Sequence, residues 1–146
     1  MTAAAPGWNQ NVVEHYPGAV QVDESIPERA RAFLSQALNS LSAPSGAVML
    51  AASAVDSMLK AKNLTKGSLY SRIDQAAADH LITKDMAAWA HEVRLDANDE
   101  RHADESGPLP DAQAAKRAVD FAIALGQFMF VLPARVKRGI EAAQKK

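Results

Sequence analysis

Arg94, Asn98 and His102 follow one another at four-residue intervals, with His91 just ahead of them. A helix continuing through residue 102 would align them as one slanting polar ridge. A guanidinium offers a fixed fork of donors to a phosphate or carboxylate, an amide orients a ligand, and an imidazole exchanges protons near neutral pH. Together they suit metal-independent cleavage of a phosphodiester. The His would assist attack by a 2′-hydroxyl while the Arg stabilised the charge building on phosphorus. The same spacing equally describes a solvated helix face stitched by side-chain pairs, since Asp96, Asp99, Glu100 and Arg101 surround the trio. Those carboxylates lower the local potential and can neutralise Arg94 or Arg101 by ion pairing, which opposes RNA binding.

Other polar residues offer less. His15 beside Tyr16-Pro17 has no partner at metal-ligand spacing, and His80 at a helix end reads as a dipole or capping partner. His91-Glu92 lacks a second His four residues on, so the zinc-protease pattern is absent. Lys66-Gly67-Ser68 stands without the glycine-rich run of a phosphate loop. Trp89 and the Phe121, Phe128 and Phe130 set lie at helical spacing and read as core rather than as a base-stacking platform. No metal and no cofactor is expected.

The elements that must position these residues are helical. With 146 residues, 48% hydrophobic and 23% charged, the chain predicts one globular domain able to hold a core unaided. Zero cysteines exclude thiolate catalysis and Cys-ligated metals. Lys plus Arg number 16 against 17 Asp plus Glu, so no global basic field draws in nucleic acid. The stretch MTAAAPGWNQNVVEHYPG reads as neither secretory signal nor anchor, and the run Phe121 to Leu132 reads as a core helix rather than a membrane span. A cytoplasmic protein without a membrane role is expected.

Residues 1–24 predict an extended lead-in, 25–140 a helical bundle and 141–146 a basic tail. The first helix is expected to about Leu41, with Ser25 as N-cap, Pro27 in the first turn and Glu28 completing a capping box. A second, alanine-rich helix is expected from about Ala47 to Ala61. Ser68 opens a third, Thr83 a fourth and Asp111 a fifth, which Pro133 is expected to kink or end. No segment alternates with period two, so the expected fold is all-α, about five helices in an up-down bundle.

From Tyr16-Pro17 to Leu132-Pro133-Ala134-Arg135 the chain resembles an uncharacterised helical domain often appended to restriction-enzyme subunits, within the HEPN-like group of helical bundles. The landmarks are Ile26-Pro27, the alanine-rich Gly46 to Leu59, Gly67-Ser68-Leu69-Tyr70-Ser71-Arg72-Ile73, His91-Glu92-Val93-Arg94 with Asn98 and His102, and Phe130-Val131-Leu132-Pro133. The resemblance implies a ribonuclease site in which Arg94 binds phosphate, Asn98 is its polar partner and His102 is the acid–base residue, often completed across a dimer. The chain departs from that pattern at Ala52-Ser53-Ala54-Val55-Asp56, where basic residues and a Leu-Glu pair are usual, and at Ala97, where Gly is common. Two functions follow: a non-catalytic interaction or regulatory module with a protein partner, a second copy among the candidates, or an RNA-cleaving enzyme using Arg94, Asn98 and His102.

Overall fold

The computed structural model describes residues 22–93, Leu95 and 109–145. These form an all-α domain of five helical rods with no strand among the described residues. They are α1 (Glu28–Leu38), α2 (Pro44–Ala61), α3 (Leu69–Ala78), α4 (Lys84–Glu92) and a last rod. That rod joins α5 (Ala112–Gly126) to α6 (Leu132–Gln144) through a π-turn at Gln127–Val131.

The chain starts and stops these helices by identifiable local chemistry. The Ser68, Thr83 and Asp111 side chains accept the backbone N–H of Ser71, Met86 and Ala114 at 3.1, 3.0 and 2.8 Å, capping α3, α4 and α5 as their sequence positions predict. The expected cap of α1 is not formed. Pro27 occupies the N-cap position in an extended conformation with no side-chain cap. Ser25 therefore lies two residues outside the helix, where its N–H donates to the Asp23 carboxylate at 2.7 Å. Helix α2 starts at Pro44 rather than Ala47, because a proline in the first turn sacrifices no intrahelical bond. α2 and α3 both end in paired bonds around a left-handed residue. Asn63 (φ 66°) and His80 (φ 63°) hold that position, and the following Leu64 and Leu81 donate to the carbonyls of Leu59 and Ala76.

Helix α2 is the centre of the core. Ala47, Val48, Ala51, Ala54, Val55, Met58 and Leu59 are all buried on it. Helix α1 lays Ala30, Leu34 and Ala37 against one side, and α5 lays Ala115, Ala118, Val119, Phe121, Ala122 and Leu125 against the other. The alanines let the helix backbones approach closely. Gly126 makes room for the side chains of Ile26 and Met58, since a Cβ there would lie 2.8 Å from Ile26 Cδ1. Helices α3 and α4 pair with each other and join the core through α2 and α5.

Pro133 does not end the last rod, which stays helical to Gln144. Just ahead of it, the Leu132 N–H bonds to the Gln127 carbonyl five residues back, which widens the turn by one residue. The wider turn relieves the clash a proline ring makes with the carbonyl four residues earlier. The rod Ala112–Gln144 is long and apolar enough, by length and composition, to cross a membrane. Its first half is instead buried in the core, whereas α6 has no buried residue.

Candidate functional site

Helix α4 does not carry a ridge through residue 102. It ends at Glu92, and Val93 turns to an extended conformation (φ −100°, ψ 131°). Val93 and Leu95 are both buried, and the Leu95 N–H donates to the Val93 carbonyl at 2.9 Å. The Tyr70 hydroxyl secures this exit, donating to the Val93 carbonyl at 2.6 Å and accepting the Leu95 N–H at 2.9 Å. Arg94, Asn98 and His102 themselves lie outside the described residues.

His91, the last basic residue of α4, is held from α3. Its Nε2 lies 2.8 Å from Asp74 Oδ1, and its ring stacks on Tyr70 with centroids 5.2 Å apart and planes 23° from parallel. Tyr70 and Asp74 are one helical turn apart, so one face of α3 supplies both contacts. Asp74, Lys84 and His91 rim a shallow cavity of about 370 Å³ floored by Ala77, Ala78, Ala87 and Ala88. The His91–Asp74 pair was not legible in the sequence, because the two residues are 17 apart and only the packing of α3 on α4 unites them.

Asp56 and Arg72 form a second polar cluster, and its role is architectural. Arg72 is the buried charged residue of the described chain, and its Nη2 lies 2.7 Å from Asp56 Oδ1. Lys60 Nζ reaches the other Asp56 oxygen at 2.9 Å, and Arg72 Nη1 donates to the Leu64 carbonyl at 3.3 Å. Burial pushes the Asp56 carboxyl upward, but hydrogen bonds and charge from Lys60 and Arg72 outweigh it and hold the group below its ordinary value. The cluster ties α2, the loop after it and α3 together.

An apolar groove lies along a different face of α4, against the last rod. Met86 and Trp89 of α4 and Ala124, Gln127, Phe128, Val131, Leu132 and Arg135 of the last rod line a groove of about 410 Å³. Trp89 packs edge-on against Phe121 at 5.1 Å yet stays 39% exposed, so it is a groove wall rather than the wholly buried core residue its spacing predicts. From Leu132 the apolar residues continue outward at four-residue steps as Val136 and Ile140, which are 52% and 53% exposed. Trp89, Leu132, Val136 and Ile140 are four of the six large exposed hydrophobics among the described residues. A concentration of that kind marks a contact surface more often than scattered single residues do.

A family model for a domain of unknown function, DUF4145, matches residues 32–143. The chain belongs to the DUF4145 family. No curated protein and no solved structure matches it. The DUF4145 match begins in α1 and ends near the close of α6, so the groove, the exposed stripe and the His91–Asp74 pair all belong to the domain proper.

Proposed function

We propose that this DUF4145 domain is a non-catalytic interaction or regulatory module that engages a protein partner through the groove and the outer stripe of α6. One observation carries the reading: α6 buries no residue, yet presents Leu132, Val136 and Ile140 in a row that continues the wall of a groove. None of those three side chains belongs to the core of the described residues. The resemblance of His91-Glu92-Val93-Arg94 and its neighbours to HEPN-like domains, and to domains appended to restriction-enzyme subunits, supports a place in a bacterial or phage defence or counter-defence system.

A second reading, a metal-independent HEPN-like ribonuclease using Arg94, Asn98 and His102, is favoured by the pairing of His91 with Asp74 three residues ahead of Arg94. Purified protein incubated in EDTA with structured and single-stranded RNAs, beside Arg94→Ala and His102→Ala, separates the two. The interaction reading expects the same background from all three proteins. Cleavage that both substitutions abolish, with helical circular dichroism intact, would establish the ribonuclease instead.

A further inference from the structure

We propose that the partner segment this face receives is an acidic amphipathic helix, apolar along one side and carrying carboxylates beside that side. The inference deepens the docking reading and rests on it. Shape selects a helix. The groove has Met86 and Trp89 of α4 on one wall and Phe128, Val131 and Leu132 of the last rod on the other. Leu132 also begins the exposed row that continues through Val136 and Ile140, so groove and row form one face along the rod. From Ala124 to Ile140 this face extends for roughly 24 Å, which about four turns of a partner helix match. Side chains at four-residue steps make a ridge with grooves beside it, and a second helix packs by setting its own ridge there. The π-turn supplies Gln127, Phe128 and Val131 to the wall, and turns of this kind recur at functional sites. A bilayer would meet only the convex row and leave the space between α4 and the rod unfilled.

Charge selects the residues beside the partner's apolar side. Arg135 is the charged residue of the groove lining, which holds no carboxylate. Asp85 and Glu92 of α4 are exposed but do not line the groove. Arg135 and Lys137 adjoin Val136 in sequence, so they stand about 100° to either side of it around α6 and flank the row. Both are exposed, and neither is in an ion pair among the described residues. Glu141, the carboxylate of α6, lies roughly 140° from Val136 and so away from the row. Carboxylates flanking a partner's apolar side would pair with Arg135 and Lys137, whereas a basic helix of the same shape would be repelled.

The test is fluorescence anisotropy of labelled model peptides of about 18 residues titrated with the full chain. Three probes share leucines at helical steps of three and four and differ in the residues between, which are glutamates, lysines or glutamines. The glutamate probe is expected to bind at roughly 10–100 μM, about tenfold tighter than the lysine probe. Arg135→Glu with Lys137→Glu should reverse that preference. Val136→Ser with Ile140→Ser, which alters no charge, should weaken the glutamate probe about tenfold. Circular dichroism of each form establishes that it is folded. Tighter binding of the lysine or glutamine probe, or an affinity for the glutamate probe that the charge reversal leaves unchanged, would overturn the proposal. If the serine substitutions still abolished that binding, the docking face itself would stand. Co-sedimentation with phosphatidylserine vesicles that the serine substitutions abolish would overturn the proposal in favour of a membrane surface. Binding of no probe, as expected if a second copy or the chain's own residues cover the face, would overturn it too. The docking reading falls separately, if the stripe proves to be part of the fold.

Discussion

The buried charge of this domain is met in part locally, since Arg72 Nε is buried without a partner among the described residues. Arg72 gives up most of its hydration and gains the Asp56 carboxylate and the Leu64 carbonyl in return. Replacing Asp56→Asn leaves that guanidinium without its counterion and is expected to lower stability at pH 7 by about 1–3 kcal/mol, measured by urea unfolding. The pH dependence has a definite sign. A carboxyl held below its ordinary value contributes fully above the unfolded value near 4, and that contribution disappears as pH falls through the lower native value. The gap between wild type and Asp56→Asn should therefore narrow as the solution is acidified below about 4. Tyr70 is the other residue whose polar atom matters to the backbone. Tyr70→Phe removes both bonds that hold the exit of α4 and is expected to cost about 1–3 kcal/mol, read as a lower midpoint of thermal unfolding with helicity retained.

At the scale of elements, the two left-handed residues after α2 and α3 are carried by Asn63 and His80 rather than by glycine. An L side chain pays a steric penalty there that glycine avoids. His80→Gly should stabilise the domain by about 0.5–1 kcal/mol, seen as a higher urea midpoint. Most elements were legible in the sequence, because caps such as Thr83 and Asp111 and the apolar steps of α1 and α5 are local signals. The misreadings arose where tertiary packing overrode them. Val93 and Leu95 are buried together and so end α4, which no count of four-residue intervals from Arg94 to His102 could reveal. The π-turn ahead of Pro133 is likewise a property of the whole rod. Position 80 was legible as a helix end, but its left-handed backbone was not, because a histidine does not announce it as glycine would.

Over the whole molecule, apolar surface is spent unevenly. Helices α1, α2 and α5 bury Ala30, Ala37, Ala51, Ala54, Ala118, Leu34, Met58 and Phe121 almost completely, while α6 leaves Leu132, Val136 and Ile140 in solvent. Those three read as helix-face residues in sequence, and only the end of the core at Val131 shows that nothing within the described chain covers them. The account stands on that stripe being a contact surface rather than a part of the fold. The most direct test is thermal unfolding of wild type and of Val136→Glu with Ile140→Glu, at several chain concentrations extrapolated to infinite dilution so that self-association drops out. The account predicts equal helicity, cooperative unfolding in both, and midpoints within about 2 °C of each other. A fall of about 10 °C or more, or loss of cooperative unfolding, would place the stripe in the domain's own core and contradict the account.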